Sequence, residues 1–320
     1  MIKHCLIACA IVALVVSINA AEKTSIADSI VHEKPTEWKV FASGAPVTAF
    51  ALQKEYLWYI TNDNLVLSNL KKSEVVKYSA LGSIPATDLT CIAIDQAGKI
   101  WVGGKNGIAV RNGTTFTNYT AESVLPDNSV NAIVVGRDGS VWVGTDNGVG
   151  VFQNNTWKVF KSADGLVSDK ATALVVDNNG AIWIGSDKGV SVYAGGSFTI
   201  YNMKKGMSWN HVKALAVDPK TNMIWAAVGE KDVNSFDGAT WKTYMDIQTE
   251  LSSIMVDTHS RVWFGSSSGI LKFNGEEWIS DPKQHGIPAN QVNDMFRDAG
   301  GNLWFAMENG VVRLSNPYPY

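Results

Sequence analysis

From residue 36 to its end the chain alternates short apolar runs with turns carrying Gly, Asn or Asp, and one complete cycle can be parsed between residues 130 and 160. VNAIVV is apolar throughout and predicts an inner strand buried on both faces. GRDG is a tight turn, SVWVG a second strand, and Asn147-Gly148 a hairpin whose residues tolerate the positive φ that two-residue loops demand. GVGVF is a third strand, QNN the next turn and TWKVF an outer strand. Four short strands joined by tight turns predict an antiparallel meander of about forty residues, the size of one propeller blade.

The cycle recurs. Copies read KIWVGGKNGIAV from Lys99, AIWIGSDKGVSV from Ala181, RVWFGSSSGILK from Arg261 and NLWFAMENGVVR from Asn302. Two worn copies, YLWYITNDNLVL from Tyr56 and MIWAAVGEKDVN from Met223, keep the tryptophan and lose most of the glycines. The register tryptophans are therefore Trp58, Trp101, Trp142, Trp183, Trp225, Trp263 and Trp304, spaced 38 to 43 residues apart. They are predicted to be structural, because burying one aromatic side chain contributes about 4–6 kcal/mol as an upper bound, and blades have little else to pack with. The turns DQAG at Asp95, DNNG at Asp177 and DAGG at Asp298 place an Asp where its side chain can bond the turn's own backbone.

Strand counting separates an open stack from a closed ring. The last cycle ends at VVRL without an outer strand, while TEWKVF, Thr36–Phe41, resembles an outer strand and stands before any complete cycle. The expected fold is all-β: a seven-bladed β-propeller of four-stranded antiparallel blades over residues 36–320, its last blade closed by strand 36–41. Closure removes the exposed sheet edge of an open array.

Residues 1–20 have a charged start, an apolar run from Cys5 to Ile18 and small residues at the end, which predicts a signal peptide cleaved near Ala20 or Ala21. A lipid-attachment box ending at Cys9 is the alternative. Residues 21–35 are expected to be a flexible arm. Removal of the leader leaves one cysteine, Cys91, in an apolar strand pattern, so no internal disulfide forms and Cys91 reads as a small buried hydrophobe. The formal net charge of −3 without basic clusters argues against nucleic acid, and no further apolar stretch is long enough to span a membrane. The expected location is periplasmic or secreted, with oligomeric state left open.

The string G-x-[IVL]-W-[VIF]-G-[TS]-x-x-G-[VI], preceded by a turn Asp and followed by an aromatic outer strand, resembles the two-component regulator propeller repeat; LPDNSVNAI at Leu125 and GIPANQVNDM at Gly286 resemble its leader. The resemblance covers residues 36–320, weakly around Trp58 and Trp225. It implies an exported sensor-type propeller that binds ligands, often sugars. No kinase-like or DNA-binding region accompanies the repeats in this sequence, so a sensor wired directly to a kinase is not expected of this polypeptide alone.

Candidate chemistry is sparse. The hairpins between second and third strands are expected to share a face with the links between blades, and carry Lys105, Asn106, Asp146, Asn147, Asp187, Lys188, Glu230, Lys231, Glu308 and Asn309; solvated turns ordinarily look like this. The link NMKKGMSWNH, Asn202 to His211, is less ordinary. Trp209 lies off the tryptophan register with Met203, Met207 and His211 close by, which suits a sugar ring, an apolar ligand or a protein partner, unless Trp209 caps the gap between two blades. Thr48, Thr90, Asn131, Thr172, Lys213, Ser252 and Asn293 fall at equivalent positions near the start of each inner strand. They either line the channel mouth for a small anion or polyol, or hold waters and satisfy one another.

No nucleophile elbow, phosphate loop, metal-binding helix or other metal-ligand spacing appears, and no cofactor is expected. The leading expectation is a non-enzymatic module binding a glycan-like or small polar ligand, or an exported or membrane protein, through Trp209, His211, Met207, Lys213, Asn131, Asn293, Asp146, Asp187 and Glu308. The alternatives are a lyase or hydrolase of the virginiamycin B lyase type, with His211, Glu230, His285 and Glu308 converging, and a structural envelope component.

Overall fold

The structure is a computed structural model that describes residues 37–315, except 63, 73, 80–83, 85, 86, 246, 248, 274 and 280–290, and except the side chains of 42 and 43. The expected leader and arm, and His285, lie outside the described residues.

Seven four-stranded antiparallel sheets follow one another along the chain: blades 1 to 6 span residues 50–79, 91–119, 130–160, 171–201, 212–244 and 251–279. Blade 7 joins residues 292–315 to the first strand, Glu37–Ser43, which pairs with Gly310–Ser315 through Glu37↔Ser315, Trp38↔Leu314 and Lys39↔Arg313. The ring therefore closes through the segment the strand count identified. Blade 3 follows the parse, with strands at Val130–Val135, Val141–Thr145, Gly148–Gln153 and Thr156–Phe160.

One expectation is corrected. The strand buried on both faces is the second, in which every residue from Val141 to Thr145 is buried, whereas in the inner strand Val130–Val135 only Val130 is. The inner strand is the free edge of its sheet and has no strand on its far side, so backbone pairing covers it from one side only.

The register tryptophans are all buried and form the hub of each blade. Trp101, Trp142 and Trp183 stack on Tyr119, Phe160 and Tyr201, which end the outer strands of their own blades, at centroid separations of 6.3, 5.8 and 5.9 Å. Phe152, Tyr193 and Phe236 reach the same three indoles from the next blade. In blade 4 the turn acid completes the hub: one oxygen of Asp177 accepts the turn's N–H groups from Asn179 and Ala181, and the other accepts Trp183 Nε1 at 3.1 Å. Asp95, Asp257 and Asp298 hold Trp101, Trp263 and Trp304 the same way, at 2.8 to 2.9 Å. In blade 3 the acid has moved two residues along the turn, and Trp142 donates to Ser140 instead, which in turn donates to Asp138. In the worn blades the indole nitrogens of Trp58 and Trp225 have no hydrogen-bond partner among the described residues.

Successive blades are fastened at both ends of their inner strands. At one end Thr90 donates to the carbonyl of Val130, Asn131 to Ala171, Thr172 to Val212, Ser252 to Val292 and Asn293 to Val47, the last crossing the closure. At the other end Gln53 donates to Gly98, Gln96 to Arg137, Arg137 to Asp177 and Asn178 to Asp218.

Candidate functional site

Hairpins between second and third strands meet the crossovers beside their blades: Gly229 N donates to His211 O at 2.8 Å and Glu308 N to Gln291 O at 3.1 Å in the crossovers that precede their blades, and Gly148 N to Asp169 O at 2.6 Å in the one that follows its blade. These loops share one face, as the sequence predicts.

Three crossovers superimpose in register. Leu125, Leu166 and Met207 occupy one position and are all buried, so Met207 belongs to the core between blades 4 and 5 and is not a ligand contact. Asn128, Asp169 and Asn210 each accept a backbone N–H from seven residues earlier, at 2.7, 2.6 and 3.0 Å, which ties the loop to its own start. One place before that acceptor stand Asp127, Ser168 and Trp209. Ser168 donates to Asp187 on the hairpin of blade 4 at 2.5 Å. In blade 5 the hairpin residue at the place of Asp187 is Gly229, with φ +58°, and the indole of Trp209 lies over it: a Cβ there would stand 2.8 Å from the indole Cγ. A serine–aspartate bond has become an indole seated on bare backbone. Trp209 remains 53% exposed, and Met203 and Met245, on the crossovers to either side of blade 5, are 52% and 63% exposed.

The other expected site residues serve different ends. Asn131 and Asn293 are interblade fasteners donating to the backbone carbonyls of Ala171 and Val47, and the row is tied to main chain rather than side chain to side chain. Lys213 breaks that row. It pairs with Glu250 at 2.5 Å, and this hydrogen bond together with the lysine charge holds the Glu250 carboxyl below its ordinary range. Asp146 accepts from Asn131 at 3.0 Å and pairs with Lys170 at 3.6 Å; the Asn131 bond is the main reason its carboxyl titrates below the usual range. Asp187 is taken up by Ser168. His211 is exposed on the Trp209 crossover, beside the hairpin that carries Glu230 and Lys231, whereas Glu308 is on blade 7, two blades away. The structure thus brings together Trp209 and His211 and leaves Glu308 apart. No group of three His, Cys, Asp or Glu among the described residues could hold a metal ion.

Gly229, Met245 and Glu250 were missed in the sequence. Aligning the hairpins would have exposed Gly229, since Asp146 and Asp187 stand at its place. The inner strands hold a second oddity: Asp294 stands where Ala132, Ala173 and Ala214 stand in blades 3 to 5. Burial pushes its carboxyl up to about 6, although the backbone N–H groups of Met295 and Phe50 bond it. Cys91, at the same place in blade 2, is pushed up to about 12, chiefly by burial.

The family described as two component regulator propeller matches residues 124–147, 165–188 and 286–309. No curated protein matches the chain. Among solved structures, the extracellular domain of a one component system from B. thetaiotaomicron is similar at a TM-score of 0.72 and 17% identity, over 86% of this chain and 39% of that one. The chain thus spans about two fifths of that relative's length. A catalytically inactive virginiamycin B lyase from Staphylococcus aureus, with quinupristin, is similar at 0.72 and 13% identity over 88% and 99%. PorZ, a surface component of the type-IX secretion system of Porphyromonas gingivalis, is similar at 0.66 and 13% identity over 86% and 47%. At such identities these likenesses concern the fold. Among the described residues no helix is long and apolar enough to cross a membrane. The chain is a seven-bladed β-propeller, three segments of which match the two component regulator propeller family.

Proposed function

We propose that this propeller is exported, performs no chemistry, and binds a glycan-like or small polar ligand, or a protein partner, on the crossover face at blade 5, as a sensing or scaffolding module. The Trp209 indole is the observation that carries this: a large amphipathic ring held on Gly229 at a position where neighbouring blades place a small polar side chain. Keeping such a ring half in water gains the fold little, whereas a rigid aromatic anchor contributes much to a contact. The extracellular domain of a one component system in the same fold supports a sensing role.

Titration of the purified protein against a glycan panel and exported proteins tests the proposal. Trp209→Ala is expected to weaken the binder found by at least tenfold while the melting temperature moves little. Turnover of quinupristin that disappears in His211→Ala would overturn it in favour of a lyase.

A further inference from the structure

On the face opposite the crossovers, where the closing strand meets blade 1, lies a cavity of about 370 Å³ lined by Lys39, Phe41, Lys54, Glu55, Leu70, Lys71 and Arg313. Four cations and one carboxylate share it, in a chain whose formal net charge is −3. None of the four cations forms an ion pair with a described residue. Arg313 is the innermost. Its guanidinium stands 5.1 Å from the Phe41 ring and 5.6 Å from Trp304, and its Nε is buried without a partner. Lys39 Nζ approaches the same Phe41 ring at 5.1 Å. Aromatic faces offset part of the cost of desolvating a cation; a counter-ion would offset more.

A cation at this place is not general to the repeat. Arg313 pairs opposite Trp304 in the sheet, and the residues opposite Trp58, Trp101, Trp142, Trp183 and Trp225 are Leu67, Val110, Val151, Val192 and Ser235; blade 6 has Lys272 opposite Trp263. The Lys54-Glu55 turn stands where blades 2, 4, 6 and 7 have the acid turns that hold their tryptophans. A cleft of about 270 Å³ at the seam between blades 3 and 4 is built from the same kinds of turn, and its one charged lining residue is Asp138. The concavity comes with the architecture, and the positive potential belongs to the closing seam.

We propose that this cleft is an anion site for a small, multiply charged oxyanion, a phosphate or sulfate group. Arg313 supplies the planar fork that matches such a group, and Lys39, Lys54 and Lys71 supply point charges around it. The site is independent of Trp209.

Calorimetric titration at constant ionic strength, with inorganic phosphate, inorganic sulfate, glucose 6-phosphate and uncharged glucose as probes and chloride as the control, tests the assignment. The oxyanions are expected to saturate at one site per chain and glucose not to bind; tighter binding of the sugar phosphate than of inorganic phosphate would identify an esterified ligand, and the reverse a free anion. Arg313→Val, which installs the residue of blades 2 to 4, is expected to fold with an unchanged or higher melting temperature and to weaken phosphate binding at least tenfold. The double variant Lys54→Gln/Lys71→Gln, confined to turns, is expected to weaken it similarly, while Trp209→Ala leaves it unchanged. Absence of binding by every oxyanion at millimolar concentration, or equal affinity in wild type and both cleft variants, would overturn the proposal.

Discussion

In blade 4 the turn acid Asp177 bonds its turn and the Trp183 indole together; in blade 5 the turn is one residue longer, Asp218 accepts from Lys220, Thr221 and Ser260, and Trp225 is left unbonded. On the crossover face Ser168 bonds Asp187 in blade 4, and Trp209 sits on Gly229 in blade 5. Where Thr172 fastens blade 4 to Val212, Lys213 of blade 5 turns to Glu250. The cores differ far less. Leu166 and Met207, then Val190 and Val233, are buried at matching places, and Trp183 and Trp225 stack on Tyr201 and Tyr244 at 5.9 and 5.4 Å. Blade 5 has kept its packing and given up polar bonds at both ends, as expected where a repeat is released from its own consensus by a local role.

The largest effect should come from the turn acids. Asp177→Ala removes the acceptor of two turn N–H groups and of a buried indole, and is expected to destabilise by about 2–4 kcal/mol, against about 1–2 kcal/mol for Asp218→Ala, because buried donors left unsatisfied cost more than bonds exchanged with water. Urea melts of the two variants check the order, and equal losses would mean that the indole bond contributes nothing.

A smaller effect is expected at Asp294, the acid in a row of alanines. Its carboxyl is raised in the folded state, so the folded protein holds a proton that the unfolded chain has released; the contribution of this one group to stability is greatest below pH 4, falls as pH climbs towards about 6, and is flat above. Asp294→Ala should remove that slope and stabilise the protein at pH 7 by roughly 1–3 kcal/mol. Melts of both proteins from pH 4 to 7.5 check it; parallel curves would contradict the burial of the charge.

The smallest effect tests the fastener that blade 5 lacks. Lys213→Thr should restore a bond like that of Thr172 and, with the exposed pair to Glu250 lost, change stability by no more than about 1 kcal/mol in the favourable direction. Chemical denaturation resolves this, and a marked destabilisation would show that the ion pair already fastens blades 5 and 6.

The ring was legible because its signals are local and repeated. A tryptophan, a glycine and a turn acid return at a fixed period, and the missing outer strand points to Thr36–Phe41, observed as Glu37–Ser43. The fasteners were legible only by half: Thr90, Asn131 and Thr172 stand out as a polar row, but their acceptors are backbone carbonyls, which leave no trace in a sequence. Met207 looked like a surface methionine because it neighbours Trp209, although Leu125 and Leu166 mark its place as core. The basic cleft was invisible for another reason. Its cations come from four separate segments, at 39, 54, 71 and 313, and only the closing of the ring assembles them.

That closing strand also sets the order of events during synthesis. Glu37–Ser43 finds no sheet to join until Gly310–Ser315 has left the ribosome, so the first strand of the ring to be made is among the last to be placed. A pairing across nearly the whole polypeptide slows the final step and leaves the nascent chain with a bare strand edge in the meantime. Such a molecule profits from being held as an open thread until its far end arrives.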